Sequence, residues 1–320
     1  MNTFQDDDAA RLSTRTFEAM GTVISISAPI DSSEVAVATE TAARVFMDAE
    51  ERFSPFLSSS ELSRVNRGEV LLPDASATFR EVYALASEFS YLTHGHFSPY
   101  SPSGDLDLNG VVKAWTIREA GNVLDTVGIP HWSINAGGDI LVSGSPAPSH
   151  PSAHDPRART PFFGTPWALG IVDPHDSSQL LATIDATGTP GFQTALATSG
   201  IAERGHHIWS RADSQPGPLT HPDLRNRSAS IPAGPDQSLD DSQTDSPAPI
   251  IQVSVMGPDI VTADALATAV AAGGRIAFSL LSEFPGYEAL AVLSDGSLVA
   301  SNNWPRTTRH RERFEQSVMY

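Results

Sequence analysis

The chain has 320 residues, 40% of them apolar, and carries 20 basic against 38 acidic residues, a net charge of −18. That length supports a full hydrophobic core in one large domain or two, and the acidic balance argues against a basic face for nucleic acid or anionic lipid. With no cysteine, disulfides, iron–sulfur clusters, thiolate zinc sites and cysteine nucleophiles are all excluded.

Residues 1–14, MNTFQDDDAARLST, lack the basic stretch, apolar stretch and cleavage site of a signal peptide. They read as a disordered terminus, and a cytoplasmic protein is expected. No unbroken apolar run approaches the roughly 18 residues of a membrane span, so no membrane insertion is expected. Thr22-Val23-Ile24-Ser25-Ile26-Ser27 alternates apolar and polar, the pattern of a half-buried strand. Asp31 with Glu34 marks a helix start, and Ala38, Ala42, Val45, Phe46, Ala49 and Phe53 then trace one helical face. A second helix is expected over 76–92 with Phe79, Val82, Tyr83, Ala86 and Phe89 inward, Gly95 lying just past its end. A third follows Lys113 and stops at Gly128. Strands follow at 134–142, 167–172, 180–184, 192–197 and 250–256. A helix begins near Thr262, and a hairpin spans 289–293 and 298–300 around Ser294-Asp295-Gly296. Residues 145–166 and 210–249 are rich in Pro, Ser, Asp and His and read as mobile insertions in a domain over 15–304. Residues 305–320 form a C-terminal tail. Helices and strands do not alternate regularly, which favours an α+β fold over a doubly wound sheet.

Several short patterns carry possible chemistry. Asp264 and Thr268 are four residues apart in an alanine-rich helix, so they share a face, with Thr262 as the expected cap. A carboxylate beside a hydroxyl is a hard oxygen pair suited to Mg²⁺, although an aspartate in a helical first turn is also explained by the helix dipole. Of the 20 basic residues, 19 are arginine and one, Lys113, is lysine. A coding preference for arginine does not explain the exception; a need for a compact point charge does. Lys113 follows Asp107-Leu108-Asn109-Gly110, read as a sharp turn before a helix that offers N–H groups to an anion. Asn135-Ala136-Gly137-Gly138-Asp139 puts two glycines inside a strand pattern, where they mean a bulge or a close approach. Ala197-Thr198-Ser199-Gly200 is small and hydroxylic at a strand end and lacks the G-x-S-x-G pattern, so Ser199 is not read as a nucleophile. His206-His207-Ile208 includes a candidate general base. Neither a Rossmann nor a P-loop glycine pattern is present.

Taken in order, these pieces resemble the ApbE family of flavin transferases. The matching elements are Glu18-Ala19-Met20-Gly21-Thr22 on a first strand; Phe53-Ser54-Pro55-Phe56 followed by Ser60-Glu61-Leu62-Ser63-Arg64-Val65-Asn66; Asp107 to Lys113; Asn135 to Asp139; Ala197 to Gly200; His207-Ile208; and Ala263 to Thr268. The resemblance implies an ApbE-like α+β fold, mixed sheets with flanking helices and an FAD cleft between subdomains. It implies Mg²⁺ held by Asp264, Thr268 and the Gly110 carbonyl. Met20, Phe56, Phe97, Ser98, Asp107, Gly137, Gly138, Asp139, Ser199 and Ile208 fall along the flavin nucleotide, Lys113 on its phosphate side, and His207 where a base would take the proton of an acceptor threonine. The implied activity is transfer of FMN from FAD to that threonine on a partner protein, releasing AMP; the alternatives are hydrolysis of FAD to FMN and AMP, or FAD binding without chemistry.

The sequence also departs from the family. Asn109, Val112 and Ala114 stand where the family often has glycine, alanine and glycine. Phe97-Ser98-Pro99-Tyr100 replaces Phe-Asp-Pro-Thr, and His207-Ile208 runs into Trp209-Ser210-Arg211 rather than Ile-Asp-Pro-x-Thr-Gly.

Overall fold

The structure is a computed structural model, and it describes residues 12–29, 32–146, 166–186, 193–200, 248–305, 307–309 and 317–319. It opens on a hairpin of β1 (Leu12–Ala19) and β2 (Thr22–Pro29). Ala19 pairs with Thr22, and the two residues between them, Met20 (φ 55) and Gly21 (φ 70), both have positive φ, as a two-residue hairpin of the primed type requires. The Glu18–Thr22 motif is therefore a turn rather than part of one strand. Residues 12–14, expected to be disordered, are ordered as the start of β1. Their side chains are mostly exposed, so no apolar alternation announced them.

Helix α1 (Ser33–Phe53) is capped by Ser32, whose Oγ accepts the Val35 N–H at 3.3 Å. It buries Ala38, Ala42, Phe46, Ala49 and Phe53. Helix α2 (Glu61–Asn66) is short and capped by Ser60. Ser76 caps α3 (Ala77–Leu92), and the Glu61 carboxylate in turn accepts the Ser76 N–H and O–H at 2.5 and 2.7 Å. Helix α4 (Asn109–Thr126) begins four residues before Lys113, so Asn109-Gly110 is its first turn and not a turn ahead of it. The Asp107 carboxylate accepts the Asn109 N–H at 3.0 Å, which lets the helix start there without a side-chain cap from Leu108.

The strand run expected at 134–142 is two strands, β3 (Trp132–Ala136) and β4 (Asp139–Ser143). Gly137 and Gly138 form the turn between them and not a bulge. There follow β5 (Trp167–Asp173), β6 (Asp176–Ala186), β7 (Gln193–Gly200) and β8 (Ile250–Gly257). Helix α5 (Ile260–Phe278) starts two residues before Thr262. Its cap is Asp259, whose carboxylate accepts from the Thr262 N–H and O–H at 2.8 and 2.9 Å. The chain closes with β9 (Glu288–Leu293), β10 (Leu298–Ala300), β11 (Thr307–Arg309) and β12 (Ser317–Met319). The expected tail thus contributes a strand to each sheet. The segments 147–165 and 201–247, which hold most of the expected insertions, lie outside the described residues.

Nine strands form one sheet in the order β1-β2-β3-β4-β7-β8-β9-β10-β12, and β11-β6-β5 form a second. All pairings are antiparallel except β10 with β12. Side-chain alternation along the central strands sets the layers. Ile140, Val142, Leu196, Leu290 and Val292 pack with Trp167, Leu169, Ile171 and Ile184 of the small sheet. Their neighbours Leu141, Ala195, Ala197, Ala289 and Ala291 pack on the opposite face with the helices. The fold is therefore α+β in three layers: helices, large sheet, small sheet. Ile260–Glu283 has a mean hydropathy of 1.5, enough by length and composition to cross a membrane. Here its first half buries Ile260, Val261, Ala263, Ala265, Leu266, Ala267, Ala269 and Val270 in the helix-side core. Helix α5 lies against β7 and β8, and the small residues Ala263, Ala267, Ala195 and Ala197 are buried between helix and sheet there.

Candidate active site

Two hairpin turns stand side by side at one end of the large sheet. Ile24 pairs with Ala136, which sets the β1–β2 turn next to the β3–β4 turn. At Gly137 (φ 61) a Cβ would collide with Thr22 Oγ1, so glycine is required both for the backbone conformation and for the space. Gly138 (φ 92) donates its N–H to Asn135 Oδ1 at 3.1 Å.

Asp139 leaves this turn with its side chain fully buried and pairs with the Lys113 ammonium, which is 7% exposed. Its Oδ1 also accepts the Thr198 N–H of β7 at 2.9 Å. Thr198 Oγ1 lies 2.9 Å from Ser254 Oγ of β8. The next residue, Ser199, places its Oγ 3.2 Å from Thr268 Oγ1 on α5. Gly110, in the first turn of α4, faces the same threonine: a Cβ there would lie 3.6 Å from Thr268 Cγ2 and 2.8 Å from Phe97 Cε2. One helical turn before Thr268 is Asp264, buried at 4% exposure. The fold thus brings together Lys113, Asp139, Ser199, Gly110 and Thr268 from four separate elements, with Asp264 on the same helix as Thr268 and Gly137 one turn of chain away from Asp139.

The loop before α4 carries more of the sequence candidates. Asp107 donates its N–H to Pro99 O at 2.9 Å, and Ser98 Oγ both donates to Tyr100 O and accepts the Tyr100 N–H at 3.1 Å. Asn66 of α2 grips Leu106 through both amide atoms, at 3.0 and 2.9 Å. Phe97 is buried, edge-on to Phe89 and backing Gly110; it reaches the site from behind. Met20 is part-buried against the main core. Phe56 is 86% exposed on the loop between α1 and α2, tied there by its N–H to Ser54 Oγ at 3.3 Å. His207 and Ile208 lie outside the described residues.

Sequence reasoning missed the Tyr83–Tyr100 pair, whose hydroxyls are 2.8 Å apart. Tyr100 is pushed up to about 12, first by that hydrogen bond and then by burial. The signal was present but unread: by spacing Tyr83 is an inward core residue, and Tyr100 stands out only as a departure from a family pattern. Ser254 was also missed, because in an apolar strand it reads as a tolerated small residue.

The donors around Thr268 fit a hard divalent cation. A carboxylate (Asp264), a hydroxyl (Thr268) and a backbone carbonyl (Gly110) are the oxygen types Mg²⁺ accepts, and the side of Gly110 that would carry a Cβ faces Thr268. Among the described residues no group of three His, Cys, Asp or Glu side chains converges, so a metal here would take most of its coordination from backbone, hydroxyl, water or substrate oxygens.

The pattern of the ApbE family matches residues 20–103 and 100–216, more than half of the chain, and the protein belongs to that family. No curated protein matches it in sequence. Among solved structures, the ApbE protein from Thermotoga maritima is 18% identical with a TM-score of 0.62, covering 90% of this chain and 96% of its own. The flavin transferase ApbE from Vibrio cholerae is 17% identical with a TM-score of 0.60, covering 91% and 96%. The flavinyl transferase ApbE from Pseudomonas stutzeri, in its apo form, is 18% identical with a TM-score of 0.59, covering 92% and 93%. At these identities the likeness establishes the fold, and it extends over nearly the whole of each chain.

Proposed function

We propose that the protein is a flavin transferase that moves the FMN half of FAD onto a threonine hydroxyl of an acceptor protein and releases AMP. Membership of the ApbE family supports the class of activity. The observation that carries the reading to this chain is that α4 and α5 bring Gly110 up to Thr268, which Ser199 of β7 holds at 3.2 Å, with buried Asp264 one helical turn before it. The Gly110 carbonyl, the Thr268 hydroxyl and the Asp264 carboxylate are the oxygen donors that would hold Mg²⁺ against a pyrophosphate, and a bound ion there would offset charge on the phosphate oxygens.

The remaining work falls to the protein. The acceptor Oγ forms a bond to the FMN-side phosphorus as the phosphoanhydride bond to AMP breaks, and the proton of the hydroxyl must leave. By family resemblance His207 takes it. The glycine turn packs against Thr22 of β2 at Gly137 and is open at Gly138, where nothing lies within 4 Å of a built Cβ, so the nucleotide can lie close to the chain there. The loop from Ser98 to Asp107, braced by Asn66, borders the start of α4 and lines the nucleotide.

The test is incubation of purified protein with FAD and MgCl₂, with and without EDTA, following AMP by chromatography, then repeated with a threonine-bearing acceptor protein. Transfer gives EDTA-sensitive AMP together with covalent, fluorescent flavin on the acceptor. AMP and free FMN without labelled acceptor identifies a hydrolase instead. Intact FAD in every arm overturns the reading.

A further inference from the structure

We infer that Lys113, the single lysine of the chain, is a positioning residue that acts through Asp139 rather than a direct ligand of substrate phosphate; the inference rests on the transferase reading of the site. The ammonium is 7% exposed and paired with a carboxylate that has no exposure at all. A phosphate ligand must present its charge to the ligand; this charge is turned inward, to the foot of β4. What Asp139 does with its second oxygen gives the pair its purpose. It accepts the Thr198 N–H of β7 at 2.9 Å. β7 pairs with β4 only up to Ile140–Leu196, so beyond that pair this side-chain bond is what ties the end of β7 back to β4. Thr198 is fixed on its other side by Ser254 at 2.9 Å, and the residue after it is Ser199, 3.2 Å from Thr268. The chain of contacts runs Lys113, Asp139, Thr198, Ser199, Thr268, and its far end is a proposed metal ligand.

The same geometry explains why lysine survives in a protein that otherwise uses arginine. A buried carboxylate that already accepts a backbone N–H matches one compact point-charge donor, whereas a planar guanidinium brings five N–H donors that would each need an acceptor there. Removing one partner of a buried pair leaves an uncompensated charge, whereas replacing both restores neutrality. Phosphate ligation makes the opposite demand: the lysine charge itself would be essential whatever Asp139 becomes.

The experiment is a double-mutant cycle on the full chain with Lys113→Met, Asp139→Asn and the pair together. The amide introduced by Asp139→Asn keeps an oxygen for the Thr198 N–H. The expected result is a loss of about 100-fold in kcat for Lys113→Met, a rise of about tenfold in the Mg²⁺ concentration giving half-maximal rate, and a KM for FAD within about twofold of wild type at saturating Mg²⁺. The double variant should recover at least about tenfold of that kcat, with its thermal midpoint above that of either single variant. A Lys113→Met variant that raises the KM for FAD and is not rescued by Asp139→Asn overturns the inference. So does a double variant no more stable or active than Lys113→Met. If the single variants do not fold and the double does, the pairing stands. FAD binding by the wild-type protein, followed by quenching of flavin fluorescence, tests the transferase reading separately. The thermal midpoints of the cycle decide the role of Lys113 even if FAD does not bind.

Discussion

Gly110→Ala sets two effects of known sign against each other. Gly110 lies in the first turn of α4, where alanine stabilises a helix over glycine by about 0.5–1 kcal/mol. The new Cβ, however, would lie 2.8 Å from Phe97 Cε2, well inside normal carbon–carbon contact. Phe97 is 1% exposed and packed edge-on to Phe89 with ring centroids 6.4 Å apart, so the ring has no free direction in which to retreat. Overpacking of a core costs about 1–3 kcal/mol, which exceeds the helix gain. The net destabilisation of about 1 kcal/mol corresponds to a fall in Tm of roughly 1–2 °C for a domain of this size. Circular dichroism at 222 nm during heating reads it directly. In a Phe97→Leu background the ring edge is gone, and the same substitution should become neutral or stabilising. A rise in Tm for Gly110→Ala in the wild-type background would refute the reasoning, because it would mean the ring does not stand against residue 110. Activity should fall in the wild-type background even though the carbonyl survives, because relief of the clash with Phe97 must shift the first turn of α4 that carries it.

Asp264→Ala should abolish AMP release from FAD at ordinary Mg²⁺, a loss of at least about 100-fold, while retaining the far-ultraviolet spectrum of the fold; full turnover in that variant would remove Asp264 from the metal site. Tyr83→Phe should bring the ionisation of Tyr100 down from about 12 toward the ordinary phenol value, read as absorbance at 295 nm against pH. Because the folded-state pKa is raised, the native protein holds this proton longer than the unfolded chain. The stabilisation is complete below the unfolded value and is lost as pH rises toward 12. An unchanged midpoint in Tyr83→Phe would show that the hydroxyl pair does not set the shift.

Helices α1 and α3 were legible from their apolar faces: Ala38, Ala42, Phe46 and Phe53 line α1, and Phe79, Val82, Ala86 and Phe89 line α3, as their spacing demands. The start of α1 was read from Asp31 with Glu34, whereas the capping side chain is Ser32, and the six-residue α2 is too short to show a periodic face. Boundaries failed where a cap acts from an unexpected place. Asp107 satisfies Asn109 from outside α4, and Asp259 starts α5 ahead of Thr262, so both helices begin earlier than their most visible polar residue. β1 was invisible because an edge strand with exposed side chains carries no alternation to read. The pairing of Asp264 with Thr268 followed from helical spacing. The meeting of Thr268 with Ser199 and Gly110, and of Lys113 with Asp139, did not: these residues are joined by sheet order and by helix packing across the sheet. The lysine was singled out by composition alone. Composition pointed to the need for a compact charge, and only the fold showed that the charge faces inward.

Gly200 and Gln252 are partners in the antiparallel register of β7 and β8. The described chain therefore leaves the sheet at Gly200 and is back in register opposite it at Gln252. Between two points that the sheet already holds together, the entropy of closing a connection grows only logarithmically with its length, by about 0.6 kcal/mol for each doubling. Ser199 stands at its foot, held by Thr268 on one side, while its neighbour Thr198 is held by Asp139 on the other. A change in the length of chain between these two strands therefore need not move the sheet, and the side-chain bonds that hold Thr198 and Ser199 to Asp139 and Thr268 lie entirely on the sheet and helix side of that departure point.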